Sequence, residues 1–209
     1  MIVLGLGISR KETKKIYNFL NSYEKFNFHF ETDLDRVAWK NSENIIMDRI
    51  ENLENSLYAN TKRSQSFTVT GDVGFYFLPY LELLINNFPY LKIISTKKSK
   101  KNTFNDIMND IKTNSSLFAR LFMFKKKYKN HWVNHNGSSW EKDCVLDKCY
   151  PKFKVASLEE SINRYIEMYI SNLKTLQSKY PKNIKIFFSD ELDSNYGKKK
   201  ILSFMEYKS

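Results

Sequence analysis

Short apolar runs alternate with longer segments of mixed polarity along most of this chain. The chain begins with MIVLGLGI, residues 1–8, which are all apolar or Gly, and comparable runs rich in β-branched and aromatic residues recur downstream. Such runs are typical of strands buried on both faces of a sheet. The predicted strands are Ile2–Gly7, Phe26–Phe30, Ser66–Thr70, Leu91–Thr96 and Ile184–Phe188.

The segments between these runs repeat their apolar positions with the period of an α-helix. The clearest helix start is SLEE, residues 157–160, where Ser157 can cap the first backbone amides and Glu160 can bond back. Pro181 ends that helix, because proline disfavours helical backbone at the residue before it. The predicted helices are Lys11–Ser22, Glu43–Tyr58, Phe75–Asn87, Thr103–Lys112, Ser116–Tyr128, Leu158–Lys179 and Lys198–Tyr207.

Strands separated by helices predict an α/β fold, with three layers and a central parallel sheet covered on both faces. A length of 209 residues suits a single domain, 1–209. Residues 129–156 interrupt the alternation with few periodic apolar positions, which predicts a long loop or lid. Long connections of this kind are often functional, and a disordered insertion is the alternative.

Composition and charge narrow the class of protein. Hydrophobic residues make up 42 % and aromatic residues 15 % of the chain, which excludes a disordered protein. Lys and Arg number 34 against 23 Asp and Glu, a net charge of +11, so an anionic partner is expected. Nucleic acid, an acidic membrane surface and a phosphate-rich small molecule all fit that charge.

Neither the N-terminus nor the most apolar inner stretch predicts a membrane protein. The N-terminus lacks a basic segment and a small-residue cleavage pattern, so it is interpreted as a first strand. Residues 74–85 contain Pro79 and Glu82 and are too short for a span of about 18 residues. We therefore expect a cytoplasmic protein without a membrane partner, in which Cys144 and Cys149 are free thiols.

The segment GISRKET, residues 7–13, joins the first predicted strand to the first predicted helix. A turn at this place presents backbone N–H groups and the positive end of a helix dipole, which together stabilise an anion. The patterns GxxxxGK[ST] and GxGxxG are both incomplete here. By itself the segment is either a phosphate-binding turn or a solvated polar corner.

A second basic segment follows the predicted strand Leu91–Thr96. Open α/β sheets bind ligands at the carboxyl ends of their strands, so this run can form a second anion site. A solvated charged face is the alternative. The run contains Lys97, Lys98, Lys100 and Lys101.

These segments, in their order, resemble the sulfotransferases that use 3′-phosphoadenosine 5′-phosphosulfate (PAPS). Residues 7–13 resemble the family's turn G-x-x-[RK]-S-G-T-T, with Arg10 and Thr13 at its basic and hydroxyl positions. Phe88-Pro89 and Lys92 resemble its FP-x-x-K corner, and Lys98 stands at the arginine of the following R-D-x-x-x-x-x-x-S. The tail YPKNIKIFFSDELDSNYGKKKILSFM resembles the family's closing strand, turn and helix.

The resemblance implies a P-loop nucleoside-triphosphate-hydrolase-like (sulfotransferase) architecture, PAPS as sulfuryl donor, and a hydroxyl or amine acceptor on a small molecule, sugar or peptide. It implies no metal. The turn and Lys14 would hold the 5′-phosphosulfate, and Lys98 with Thr103 the 3′-phosphate. The implied donor-binding positions are Ser9, Arg10, Lys11, Glu12, Thr13, Lys14, Lys98, Thr103 and Asp106.

Several of these positions depart from the family pattern. Lys11 and Glu12 replace a Ser and a Gly of the turn, and Asp106 stands at the position of a serine that helps to bind the 3′-phosphate. Lys98 keeps the charge of an arginine without its planar fork. A carboxylate at Glu12 would repel a phosphosulfate unless the side chain points outward.

The family's general base is a Glu or His after the second strand, and FHFETDL, residues 28–34, contains both. The resemblance favours Glu31, because it lies nearer the expected strand end, over His29. Alternation along a strand predicts that the two side chains share a face. A surface ion pair is the alternative role for Glu31.

Two other hypotheses belong to different functional classes. The lysine runs Lys97–Lys101 and Lys125–Lys129, with Tyr128 or Trp132 to stack bases, would suit a nucleic-acid-binding protein. The second hypothesis is a relative of the sulfotransferases that binds the donor without catalysing transfer. The carboxylate of Glu12 in the turn is the main support for this hypothesis.

The predicted loop 129–156 also contains residues of the types that bind metals, namely His131, His135, Cys144 and Cys149. The CxxxxC spacing is wider than in the usual structural zinc sites, so no metal is predicted. Trp132 and Trp140 in the same loop are candidates for covering the acceptor, and packing over the core is the alternative.

Overall fold

The structure, a computed structural model, describes residues 1–34, 36–60, 67–115, 149–153, 155 and 157–207, without the side chains of residues 60 and 111–115. Strands and helices alternate along these residues. The elements are β1 (Ile2–Leu6), α1 (Arg10–Leu20), β2 (Phe26–Phe30), α2 (Glu43–Asn60), β3 (Val69–Val73), a 3-10 helix (Phe75–Tyr80) leading into α3 (Leu81–Asn87), β4 (Lys92–Lys97), α4 (Lys100–Ser115), α5 (Leu158–Lys179), β5 (Ile184–Phe188), a second 3-10 helix (Ser189–Leu192) and α6 (Asn195–Phe204).

The strands form one five-stranded sheet in the order β2-β3-β1-β4-β5, and every pair is parallel. In the centre, Val3 lies opposite Gly71 on one side and Lys92 on the other. The α/β fold with a parallel central sheet, predicted from the sequence, is therefore confirmed. Because all strands run in one direction, their carboxyl ends lie along the same edge.

Alternate residues of β1 pack into two separate hydrophobic cores, one on each face of the sheet. Ile2, Leu4 and Leu6 face a core shared with α2, α3, α4 and α5. Val3 faces the opposite core, where Ile16 of α1 and Ile201 of α6 are both fully buried. Helices thus cover both faces of the sheet, as the near-continuous apolar strands require.

The third strand is where the predicted boundaries are most in error. The prediction was Ser66–Thr70, whereas β3 runs Val69–Val73. Its centre holds Gly71 and Asp72, residue types that are rare in strands. A side chain at Gly71 would place its Cβ 1.8 Å from the Val3 carbonyl oxygen and 2.6 Å from the Phe28 ring, so glycine is required there.

Helix ends follow the capping side chains. The predicted helix Leu158–Lys179 is confirmed, with Ser157 Oγ accepting from the Glu160 N–H at 3.1 Å. The helix after β4 begins at Lys100, earlier than predicted, because Ser99 Oγ accepts from the Asn102 N–H. The last helix begins at Asn195 because Ser194 caps it.

Some predictions cannot be compared with the structure in full. The predicted helix Ser116–Tyr128 lies outside the described residues, as do residues 129–148 of the predicted loop. The end of that loop is described. There Cys149 is buried and its Sγ donates to the carbonyl oxygens of Leu34 and Val37, and Tyr150 stacks on Phe75 with ring centroids 4.3 Å apart.

Candidate functional site

The carboxyl edge of the sheet brings together three segments that are far apart in the sequence: residues 7–13 after β1, called here the β1 turn, Glu31 after β2, and Lys98 after β4. From β1 the chain proceeds to one side of the sheet, and from β4 to the other. The crevice between the ends of two such strands is the usual ligand site of open α/β sheets.

The β1 turn is tight and well fixed. Ser9 is the N-cap of α1, its Oγ accepts from the Glu12 N–H at 3.3 Å, and its carbonyl oxygen accepts from the N–H groups of Glu12 and Thr13. Tyr165 of α5 donates to the Ile8 carbonyl oxygen at 3.1 Å. A Cβ at Gly7 would lie 2.5 Å from the Thr13 nitrogen, so only glycine allows the chain to fold this closely onto the helix.

Glu31 is bound directly to the β1 turn. Its Oε2 accepts from Arg10 Nε at 2.7 Å, and its Oε1 accepts from Thr13 Oγ1 at 3.0 Å. The Glu31 side chain is 1 % exposed and that of Arg10 is 29 % exposed. Glu31 has a φ of 47°, and its N–H donates to the Val73 carbonyl oxygen. These hydrogen bonds join two segments that the sequence analysis named separately, the candidate phosphate turn and the candidate base.

Burial and the neighbouring charges act on Glu31 in opposite directions. Burial raises the pKa of Glu31, while the charge of Arg10 and hydrogen bonds from Arg10 and Thr13 lower it; the carboxylate of Asp110 raises it further, and the net pKa lies above the usual value. For Arg10, burial lowers the pKa but Glu31 outweighs it, so the net pKa is raised. Glu31 therefore has a more basic carboxylate than a surface glutamate.

His29 does not share the environment of Glu31. The prediction that both side chains lie on one face is wrong, because the left-handed backbone of Glu31 ends the strand alternation and turns its carboxylate to α1. The His29 side chain is exposed, opposite Asp72 in the register of β2 and β3. Burial and the charge of Arg49 lower the pKa of His29. Among the described residues, no hydrogen bond connects His29 to the β1 turn.

The predicted 3′-phosphate positions form a cluster at the end of β4. Asp106 of α4 accepts from Lys98 at 2.7 Å through Oδ2 and from Lys11 at 3.1 Å through Oδ1. Thr103 is buried and its hydroxyl donates to the Ser99 carbonyl oxygen at 3.2 Å. Lys98 and Lys11 are thus brought together from different elements, with Asp106 between them.

Lys14 lies apart from these groups. Its ammonium lies 4.9 Å from the centroid of the Tyr17 ring and 4.8 Å from that of the Phe30 ring. These cation–π contacts place its charge on the helix surface next to the end of β2.

Glu12 points inward, which differs from the outward orientation that donor binding would favour. The residue is fully buried, and neither carboxylate oxygen has a hydrogen-bond partner among the described residues. Burial raises the pKa of Glu12 to about 7, against smaller lowering contributions from Lys98 and the backbone N–H groups of Ser9 and Ile8. Near neutral pH both the protonated and the ionised form of this carboxyl group are therefore accessible.

A polar network under the site was missed by the sequence reasoning. Asp72 of β3 is fully buried and accepts from Arg49 Nε of α2 at 2.9 Å, while Arg49 Nη2 donates to Thr32 Oγ1 at 2.9 Å. Tyr76 donates to the Thr32 carbonyl oxygen at 2.7 Å. These bonds fix the backbone immediately after Glu31. The available signal was an aspartate inside an apolar run, which requires a buried partner.

The charges of the site are largely balanced in pairs. Arg10 is neutralised by Glu31, and Asp106 is shared by Lys98 and Lys11. Asp110 lies near enough to Arg10 and Tyr150 to affect the pKa of both. The site is a cluster of ion pairs between different elements, in which the basic side chains have acidic partners.

Comparison with known proteins adds no family assignment: neither the family models nor the curated protein sequences contain a match to this chain. Within the described part of the chain, no group of His, Cys, Asp and Glu is arranged to hold a metal ion, and His131, His135 and Cys144 lie outside it. None of the described helices combines the length and apolar character needed to cross a bilayer.

Proposed function

We propose that this protein transfers a sulfuryl group from PAPS to a hydroxyl or amine acceptor, using a sulfotransferase-type, P-loop-like fold. The observation that carries the proposal is the contact of Glu31 with Arg10 and Thr13 of the β1 turn. A candidate base and a candidate phosphate turn, 21 residues apart, lie together at the crevice where α/β sheets bind ligands.

In this proposal the donor lies across the ends of β1 and β4. The 5′-phosphosulfate would bind the N-terminus of α1, where the helix dipole and the side chains of Arg10, Lys11 and Thr13 favour an anion. The 3′-phosphate would bind Lys98, whose side chain is 20 % exposed and whose ammonium contacts Asp106. The fit requires both lysines of the Asp106 cluster to exchange part of their ion pairing for phosphate.

The chemical step is a single displacement at sulfur. The acceptor oxygen or nitrogen forms a bond to sulfur with its lone pair, and the bond from sulfur to the phosphate oxygen breaks with its electrons going to the phosphate. Glu31 takes the acceptor's proton, and the cations of the turn stabilise the charge on the leaving phosphate. The products are the sulfated acceptor and 3′-phosphoadenosine 5′-phosphate.

Arg10 connects donor binding to the strength of the base. In the structure Arg10 lowers the pKa of Glu31 through its charge and its hydrogen bond. When Arg10 turns to the phosphosulfate, Glu31 loses this ion pair and its pKa rises, so that it becomes a stronger base. Proton abstraction is then favoured only when donor is present.

The proposal is tested first by thermal unfolding with 3′-phosphoadenosine 5′-phosphate. ATP and a short oligonucleotide are the control ligands, each tested separately. Ligand at about 100 times its Kd stabilises by about 2.7 kcal/mol, a shift of about 5–10 °C for a chain of this size. Lys98→Met is expected to reduce the shift, and Lys174→Met, which removes an exposed lysine of α5, is the matched control.

A response to the oligonucleotide without a response to the bisphosphate would contradict the proposal and favour the nucleic-acid hypothesis. One observation weakens that hypothesis: Lys100, part of the lysine run after β4, is paired with Glu167 of α5. Residues 125–129, the other run, lie outside the described residues.

Donor binding without transfer is the second candidate, and the buried Glu12 favours it. A carboxylate at the position of the family's glycine lies inside the turn that must accept an anion. If this is the function, the bisphosphate binds but PAPS is not consumed in an acceptor screen. Under the proposal, Glu31→Gln abolishes a measurable transfer while bisphosphate affinity is retained.

A further inference from the structure

Glu12 stands in the first turn of α1 with its side chain directed into the protein. It is fully buried, and neither oxygen has a hydrogen-bond partner among the described residues. The carboxyl group nevertheless lies close enough to the backbone N–H groups of Ser9 and Ile8 to be affected by them. These amides belong to the turn that would receive a phosphate, so Glu12 and a bound anion would act on the same part of the chain.

The elements around Glu12 bring charged and titratable groups to it, but no cation of the described residues is bonded to it. Lys98 and Asp106 face it from the β4–α4 side, and Lys98 is engaged with Asp106 at 2.7 Å. Tyr165 and Tyr169 face it from α5, where both hydroxyls donate to backbone carbonyl oxygens. An ionised Glu12 is therefore a buried charge without a bonded counter-ion.

We propose that the β1 turn takes up its anionic ligand together with a proton, and that Glu12 carries this proton. The inference rests on the proposed donor site and concerns how that site tolerates a glutamate. A neutral Glu12 does not repel a phosphate or phosphosulfate at the turn, whereas an ionised Glu12 does.

The direction of the effect follows from proton linkage. Burial raises the pKa of Glu12 to about 7 before any ligand is bound. A second negative charge at the turn raises it further, so the bound state holds more protons than the free state above neutral pH. Affinity for the anion then falls by up to about tenfold for each pH unit above neutrality, and levels off in more acidic solution.

The test is titration calorimetry of 3′-phosphoadenosine 5′-phosphate into the whole chain, in two buffers with different ionisation enthalpies. The difference in observed heat between the buffers gives the number of protons taken up per ligand. This number is expected to be close to one at about pH 8 and far smaller at about pH 5.5. This measurement on the unaltered protein needs no variant.

Two variants assign the proton. Glu12→Gln is expected to remove most of the proton uptake at about pH 8 and to bind with the affinity that the unaltered chain shows at about pH 5.5. Glu31→Gln is the matched control, since it removes the other buried carboxylate of the site and is expected to leave the uptake by Glu12 in place.

The possible failures are distinguishable. Tight binding with no proton uptake, or equal uptake in Glu12→Gln and the unaltered chain, overturns this inference and leaves the proposed donor site intact. No binding by either protein at either pH overturns the proposed function and this inference together.

Discussion

Arg10 donates from Nε to Glu31 Oε2 across 2.7 Å, and the two residues belong to different elements, α1 and the end of β2. Thr13 binds the other oxygen of the same carboxylate. This contact fixes the β1 turn against the second strand and lowers the pKa of Glu31 against the larger effect of burial. Among the described residues, Glu31 is the only carboxylate that bonds to Arg10. This contact is the central relationship of the candidate site.

A double-mutant cycle of Arg10→Met and Glu31→Gln is expected to give a coupling energy of about 1–3 kcal/mol by urea unfolding. The reason is that the Glu31 side chain is 1 % exposed, so solvent screens the pair only from the side of Arg10. The control cycle is Lys15→Met with Asp193→Asn, an exposed pair expected to give about 0–1 kcal/mol. Equal coupling in both cycles would show that Arg10 and Glu31 do not interact as described.

Glu12→Gln is expected to change how stability depends on pH. The pKa of Glu12 is raised to about 7 in the folded chain from an ordinary value of 4.5, so the folded state holds its proton more tightly. Below about pH 4.5 the tighter proton binding by Glu12 in the folded state contributes fully to stability, and this contribution is lost as pH rises to about 7. The unaltered chain should therefore lose about 3 kcal/mol relative to the variant over this interval.

Chemical unfolding of both proteins at a series of pH values measures this difference. Other groups that titrate in the same interval, such as Asp72, are present in both proteins and cancel in the comparison. A constant difference between the two curves would mean that Glu12 has the same pKa in the folded and the unfolded chain, and would contradict the raised pKa.

Arg49→Met is expected to destabilise the fold by about 3 kcal/mol or more at neutral pH, because it leaves the buried carboxylate of Asp72 without its cation. Burial already raises the pKa of Asp72 to about 6, with Arg49 opposing the rise. Without Arg49 the Asp72 carboxyl is protonated at a higher pH. The loss of stability caused by Arg49→Met should therefore be smaller in acid.

Urea unfolding at about pH 5 and about pH 8 checks this expectation, since Asp72 of the unaltered chain is mainly ionised only in the more alkaline condition. The double variant Arg49→Met with Asp72→Asn should recover much of the loss at the higher pH, because the buried charge is gone. If the single variant loses the same free energy at both pH values, the effect comes from packing of the arginine side chain and not from its charge.

Gly7→Ala is expected to abolish the thermal shift produced by 3′-phosphoadenosine 5′-phosphate, because its Cβ would lie 2.5 Å from the Thr13 nitrogen and force the β1 turn open. Gly5→Ala is the matched control. Its Cβ would meet only side chains, Ile16 at 2.8 Å and Val73 at 3.0 Å, inside the core. The control should lose about 1–3 kcal/mol of stability and keep the ligand-induced shift. Retention of the shift in Gly7→Ala would place the anion elsewhere.

The sequence by itself determined the alternation of strands and helices and hence the parallel sheet. Phe26–Phe30, Ile184–Phe188 and Leu158–Lys179 have the predicted bounds, because apolar periodicity and a capping serine are local properties. The same local rules misplaced β3, since Asp72 in its centre is tolerated only through Arg49, a partner from another element.

The tertiary structure decided the site. Candidate residues could be named from the chain, but their charge states depend on which distant groups meet them. Glu31 is held by Arg10, and Lys98 and Lys11 share Asp106. Glu12 is buried, and none of the described residues bonds to its carboxylate. Burial and contacts across elements set the pKa values of Glu31 and Glu12, and neither can be obtained from the order of residues along one segment.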